Sequence, residues 1–224
     1  MILDNLKKIE DQVSSSCVKS GRNRSEIKLI AVSKTQPVDI IQEALKAGLK
    51  DLGENKAQEL RDKAELVKGD FYWHFIGHLQ ANKVKYIINT AEYIHAVDSI
   101  KLAEEINLKA EKINKKQNVL LEIKTSDEPA KFGFELEIDI FNAADFCKKS
   151  SNLILVGLMT MAPYSDDEKL IRNCFARLRQ IKDNLNRNGL DLNELSMGMT
   201  NDFQFAIEEG ATMIRIGTAI FGNR

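Results

Sequence analysis

Proline and cysteine are scarce in this chain, and no run of apolar residues is long. Three prolines in 224 residues, with no low-complexity segment, leave no linker along which to divide the sequence. Cys17, Cys147 and Cys174 form an odd set without metal-ligand spacing, which argues against both a disulfide scaffold and a metal module. They read as reduced thiols of a cytoplasmic protein. No stretch approaches the roughly 20 apolar residues of a membrane helix. Asp4 and Glu10 interrupt the apolar positions of the amino terminus, so a signal peptide is not expected either. Excess charge is also missing: a formal net charge of -1 argues against nucleic acid or an anionic membrane as the main partner. What is present, 43% hydrophobic and 29% charged residues, suits a soluble protein with a proper core, expected to be one domain over 1–224.

Short apolar runs alternate with longer helical patterns. Ile2, Leu6, Ile9 and Val13 mark an opening amphipathic helix that ends near Gly21. Strands are expected at 27–33, 50–53, 72–77, 93–97, 119–124, 153–159, 195–198 and 212–217. Helical spacing fills 37–48, 56–67, 99–114, 135–149 and 166–186. Pro37 suits a first helical turn, Gly48 and Gly189 suit helix ends, and Asp166, Asp167 and Glu168 complement a helix amino terminus. Eight strands each followed by a helix predict an α/β fold, a single (β/α)8 TIM barrel with an extra N-terminal helix. The runs at 50–53, 93–97 and 195–198 are short and weakly patterned, and an open sheet is the alternative.

In such a barrel, chemistry gathers where strands end and βα-loops begin. Lys34 closes the first apolar run and, by alternation, shares a face with Ile30 and Val32, so its ammonium is expected to emerge from an apolar wall. Burial there favours the neutral amine, which attacks carbonyls and forms a Schiff base. The alternative is a rim lysine whose head snorkels into water. Gly198 and Gly217 lie in the loops after strands seven and eight, each with a hydroxyl residue nearby, Thr200 and Thr218. Barrels commonly bind phosphate there, through backbone N–H groups and hydroxyls. Arg215 on an inner strand needs a partner, either a carboxylate such as Asp98 or Asp202 or a ligand acceptor at the barrel mouth. An amine, two phosphate-holding loops and an arginine between them suit pyridoxal 5'-phosphate (PLP). Lys34 would take the aldehyde, the loops the phosphate and Arg215 the ring nitrogen. A lysine-dependent aldolase acting on a phosphorylated sugar would use the same lysine and loops without a cofactor.

Five motifs go further: Ala31-Val32-Ser33-Lys34-Thr35, Gly53-Glu54-Asn55, His74-Phe75-Ile76-Gly77-His78-Leu79-Gln80, Ser196-Met197-Gly198-Met199-Thr200-Asn201-Asp202 and Arg215-Ile216-Gly217-Thr218-Ala219-Ile220-Phe221-Gly222. In order and spacing they resemble the pyridoxal phosphate homeostasis protein family, over about residues 30–222. The resemblance implies a barrel related to the PLP-binding N-terminal domain of alanine racemase, with Lys34 as the Schiff-base lysine. It further implies that Asn55, Ser196, Thr200, Arg215, Gly217 and Thr218 surround the cofactor, with no metal and no catalytic residue. The implied role is PLP homeostasis and supply without established turnover, with PLP-dependent apo-enzymes as candidate recipients. Two positions depart from the pattern. Lys56 stands where an aromatic residue is frequent, and Thr200 stands where serine is usual, which keeps the hydroxyl.

The residues themselves favour a carrier. An arginine at the pyridine nitrogen disfavours ring protonation, and an unprotonated ring is a poorer electron sink. Racemisation needs acid/base groups on both faces of the substrate carbon. Racemases take part of that site from a second domain and a partner subunit, and this sequence ends at Arg224, so no second domain is expected; a lone barrel with balanced surface charge suits a monomer. The alternative is a racemase-like PLP enzyme with His74, His95, Lys124 or Tyr164 as acid/base groups, residues for which hydrogen-bonded structural roles are expected. Met159, Met161, Met197 and Met199 are expected near the mouth as adaptable packing, and basic 109–116 as a solvated helix end.

Overall fold

The computed structural model describes residues 1–126, 128 and 132–222; Arg224, where the sequence ends, lies outside them. Eight strands, β1 (Lys28–Val32), β2 (Asp51–Glu54), β3 (Tyr72–Phe75), β4 (Ala91–Val97), β5 (Gln117–Glu122), β6 (Leu153–Met159), β7 (Glu194–Ser196) and β8 (Met213–Ile216), pair in chain order. All the pairings are parallel, and β8 returns to β1 from Lys28↔Met213 to Ala31↔Ile216. That closure settles the barrel against the open sheet. The weakly patterned short runs at 50–53, 93–97 and 195–198 all carry strands, although β7 pairs with β8 in register only at Ser196↔Met213.

The helices are α1 (Ile2–Lys19), α2 (Val38–Lys46), α3 (Ala57–Leu66), α4 (Val84–Ile87), α5 (Ile100–Glu111), α6 (Glu137–Lys149), α7 (Glu168–Arg187), α8 (Phe203–Glu208) and α9 (Thr218–Phe221). Those after β3, β7 and β8 have four to six residues, too short to show a helical period. Pro37 sits just before α2 with ψ 156°, capping the helix rather than occupying its first turn. Asp167 caps α7 by accepting from Leu170 N at 3.2 Å. In α1 one stripe of Ile2, Leu6, Ile9, Val13 and Cys17 is buried. That helix packs on α8 and α9, and Asn5 Nδ2 donates to Ile220 O at 3.0 Å. It thereby braces the segment that follows β8.

Two cores follow from the two-residue period of a strand. On β1, β5 and β8 the side chains of Ala31, Val119, Leu121, Ile214 and Ile216 meet the helices, whereas Ile30, Leu120 and Met213 fill the barrel together with Ala96 and Met159. Leu120 is fully buried, and truncating it to alanine would cost roughly 2–5 kcal/mol. Continuing the period places Glu122, two beyond Leu120, and Arg215, two beyond Met213, on the interior face. The four methionines do not share one place. Met197 belongs to the outer core, Met159 to the inner one with Met161 against it, and Met199 is exposed.

β5 starts and stops two residues earlier than its apolar pattern. Gln117 enters the sheet because its side chain donates to Glu92 O at 2.9 Å. Ile123 and Lys124 leave it to bridge Phe134, with Lys124 N donating to Phe134 O at 2.9 Å. Glu122, not Lys124, therefore closes the strand. Among the described residues the three cysteines are buried, with Cys174 Sγ donating to Thr125 O at 3.4 Å, no group of three or more His, Cys, Asp or Glu could hold a metal, and no helix is long and apolar enough to cross a membrane.

Candidate functional site

The carboxyl ends of β1, β7 and β8 enclose a cavity of about 130 Å³ lined by Lys34, Thr200, Arg215, Gly217 and Thr218, with Val32, Gln36, Met199 and Gly222. Five of the seven residues expected around a ligand are thus brought together. Ser196 and Asn55 are not part of this lining: Ser196 lies behind Arg215, and Asn55 is half-buried at the end of β2. The lining has two cations and no carboxylate, which favours an anion. A second cavity of about 500 Å³ shares Met199 and Thr200 and lies between the loops carrying Tyr164 and Asn201. A wider groove of about 1080 Å³, with Ile138, Phe141, Arg177 and Gln180 in its walls, runs between α6 and α7 on the outer flank, away from the strand ends. Volume alone does not mark the chemistry.

Lys34 is not on the strand. β1 ends at Val32, and Gln36 N donates to Ser33 O at 3.0 Å, closing a turn with Lys34 and Thr35 at its centre. Lys34 is consequently half-buried rather than set in an apolar wall. Thr35 takes φ 63°, the left-handed region, at a cost for a β-branched residue of roughly 1–2 kcal/mol. The Lys34 amine and the Thr200 and Thr218 hydroxyls have no hydrogen-bond partner among the described residues. Gly198 has φ 91°, and a Cβ there would stand 2.5 Å from Ala206 Cβ and 2.9 Å from Phe203 Cα, so only glycine lets this loop lie on α8.

Arg215, 4% exposed, donates to two neutral acceptors, Ser196 Oγ at 2.6 Å and Thr160 O at 2.9 Å. Its expected carboxylate partners are engaged elsewhere: Asp98 with His78 at 3.1 Å, Asp202 with Met199 N at 2.5 Å. Burial pulls the guanidinium pKa down to about 10, against the through-space pull of Asp202 and Glu122, and it stays cationic near neutrality.

From Ser196 a chain of hydrogen bonds crosses the barrel. Ser196 Oγ meets His95 Nδ1 at 2.9 Å, His95 Nε2 meets His74 Nδ1 at 2.9 Å, and His74 Nε2 meets Asp51 Oδ1 at 2.9 Å. Burial lowers the pKa of both imidazoles, that of His74 in spite of Asp51. With both rings neutral, an arginine that only donates and a carboxylate that only accepts permit one direction: Arg215 to Ser196 to His95 to His74 to Asp51. Each histidine then carries its proton on Nε2.

Several residues of this site gave no sequence signal of their role. Thr160 and Asp51 act through a carbonyl and a long-range partner. Glu122 is buried, its Oε2 without a hydrogen-bond partner, and burial followed by the Asp98 charge pushes its pKa up to about 7, against Arg215. The two-residue step from Leu120 was the one available sign, obscured because the apolar run continues through Ile123.

Comparison with known proteins identifies the family and the fold. A model of the alanine racemase N-terminal domain family matches residues 6–224. The pyridoxal phosphate homeostasis protein of Aquifex aeolicus (strain VF5) is 41% identical over 223 residues, covering 99% of this chain and 97% of that one. PipY of Synechococcus elongatus PCC7942, solved with PLP bound, is 32% identical with a TM-score of 0.86, covering 99% of this chain and 100% of that one. An alanine racemase of Clostridium difficile 630 shares the fold at 16% identity and a TM-score of 0.76, with 57% of its chain covered. With full-length identity at this level and a barrel of matching shape, the chain belongs to the pyridoxal phosphate homeostasis protein family, built on the alanine racemase N-terminal-domain fold.

Proposed function

We propose that this protein is a PLP carrier: it takes the cofactor into the cavity at the barrel mouth, holds it covalently through Lys34, and serves its homeostasis and supply without catalytic turnover. The observation that carries this reading is the convergence of Lys34, Thr200, Arg215, Gly217 and Thr218, from three strand ends, on one cavity without a carboxylate. When bound, PLP supplies an aldehyde that condenses with a primary amine and a phosphate that seeks N–H and O–H donors. Lys34 offers an amine that no other described group engages. Thr200 and Thr218 offer free hydroxyls, and Gly217 lets backbone approach the phosphate. Arg215 is oriented by Ser196 and Thr160 and keeps its charge, so at the ring nitrogen it donates and disfavours a proton. PipY, solved with PLP bound, supports the assignment.

Absence of turnover is supported by where the candidate acid/base groups lie. His74 and His95 have both ring nitrogens engaged in the buried chain, Lys124 pairs with Glu135 at 3.2 Å, and Tyr164 is 94% exposed. None of the four lines the cavity that holds Lys34. The same reading takes the chain as one domain working as a cytoplasmic monomer, with PLP itself and PLP-dependent apo-enzymes as partners. The test is mass spectrometry after incubation with PLP and borohydride reduction. One pyridoxyl group on Lys34 is expected, and none on a folded Lys34→Ala variant. Full cofactor absorbance in that variant, or a label on a different lysine, refutes the assignment.

A further inference from the structure

We propose that Glu59 and Lys63 on α3 are positioning residues for Lys34: with Glu54 they form a buried ion cluster that fixes the backbone on both sides of the lysine and so aims its amine. The inference rests on the reading of Lys34 as the point of PLP attachment.

Lys34 makes no polar contact of its own, but both of its neighbours do. Ser33 Oγ donates to Glu54 Oε1 at 2.8 Å, and Ser33 O accepts from Lys63 Nζ at 2.7 Å. On the other side Thr35 N donates to Glu59 Oε1 at 2.5 Å. Lys63 Nζ joins the two halves, at 2.6 Å from Glu54 Oε1 and 2.7 Å from Glu59 Oε1. Its three protons are then all used, on Ser33, Glu54 and Glu59. Glu54 is fully buried and Lys63 nearly so. The strand register Val32↔Gly53 brings Ser33 beside Glu54, and one helical turn separates Glu59 from Lys63, so both side chains reach the same turn.

Fold stability alone is a weak reason for such a cluster, because apolar side chains of similar volume commonly do as well in a buried position. Its location gives the better reason. Thr35 is held at φ 63°, where a β-branched residue does not rest unaided, by the hydrogen bond from its own N–H to Glu59. The turn fixes the Cα–Cβ direction of Lys34, and the side chain then enters the cavity shared with Thr200, Arg215 and Thr218. In the covalent step the Nζ lone pair attacks the aldehyde carbon. Both amine protons leave with the carbonyl oxygen as water, and carbon and nitrogen end doubly bonded. The rate of such a step depends on where Nζ is held. Phosphate recognition comes from the loops after β7 and β8, which the cluster does not touch. Its loss should therefore slow attachment and spare non-covalent binding.

The experiment uses the full chain with Glu59→Ala, which removes the acceptor of Thr35 N, and, separately, Lys63→Met. Each is mixed with PLP, followed by absorbance and borohydride trapping, and each is titrated with pyridoxine 5'-phosphate, whose alcohol cannot attach. Attachment to Lys34 is expected to slow by about tenfold or more, with affinity for pyridoxine 5'-phosphate within about twofold of the parent. Equal losses in both measurements would make the cluster merely structural, and an unchanged attachment rate would refute it outright. Should Lys63→Met not fold, Glu59→Ala decides, together with Glu59→Ala/Thr35→Gly. Glycine adopts the left-handed turn without help, so the double variant should recover part of the rate; no recovery would overturn the turn as the agent. A parent protein that never traps label on Lys34 would instead sink the PLP reading itself.

Discussion

Glu122 offers a quantitative test of the barrel interior. Its carboxylate closes the inner face of β5, with Oε2 buried and unpartnered, and burial with the Asp98 charge raises its pKa from 4.5 to about 7. The folded-state pKa lies above the unfolded one, so between those values the folded chain binds more protons than the unfolded chain. Stability must then fall as pH rises through that window. At about 1.4 kcal/mol per unit, this one group removes roughly 2.5 kcal/mol between about pH 5 and about pH 8, a ceiling that local relaxation lowers. Glu122→Gln deletes the titration. Whatever the buried amide costs for lack of a partner is the same at both pH values and cancels in the difference. Urea unfolding of parent and variant at the two pH values measures it. The parent is expected to lose about 2 kcal/mol relative to the variant on going to the higher pH. An identical pH dependence in the two proteins would mean the carboxylate is solvated, or neutralised by Arg215, and the argument from burial would be wrong.

Other predictions follow from the same contacts. Thr200→Ala and Thr218→Ala should each weaken retention of PLP more than that of pyridoxal, which lacks the phosphate; equal losses for the two ligands in equilibrium dialysis would remove the phosphate role. Ser196→Ala leaves His95 Nδ1 without its donor and Arg215 without one acceptor, at about 1–3 kcal/mol. The melting temperature should fall by about 2–4 °C per kcal/mol for a chain of this size, and an unchanged one would break the proposed chain of hydrogen bonds.

The barrel was legible in the sequence because alternation, glycine-ended helices and strand spacing all pointed to one architecture. Once the strands close in order, their carboxyl ends must meet, which is why Lys34, Thr200, Arg215, Gly217 and Thr218 could be grouped without knowing any contact. The polar pairings were not legible, because hydrophobic periodicity says nothing about which distant polar residues come into register. His95 and Ser196 are separated by 101 positions in sequence, and only closure of the barrel makes them neighbours. Lys34 itself was expected directly after the strand, sharing its apolar face, because Ser33 extends the apolar run, whereas the side chain of Ser33 is claimed by Glu54 and the strand stops at Val32. Glu59 and Lys63 carry the four-residue spacing common on exposed helix faces, and the short β2–α3 connection is what brings them beside the turn after β1.

The two cationic residues at the mouth are held by opposite means, and the difference matches the chemistry each would perform. Arg215 must remain a fixed donor, and the structure anchors its guanidinium directly, through Ser196 and Thr160, on neutral acceptors that leave its charge uncancelled at close range. Lys34, the proposed nucleophile, has its amine gripped by no described group; the restraint is applied one residue away on each side, at Ser33 and Thr35. A carboxylate placed on Lys34 itself would stabilise the ammonium and suppress the nucleophile. Moving that carboxylate to the backbone of Thr35, and balancing it with Lys63, keeps the geometry while leaving the amine without a carboxylate partner.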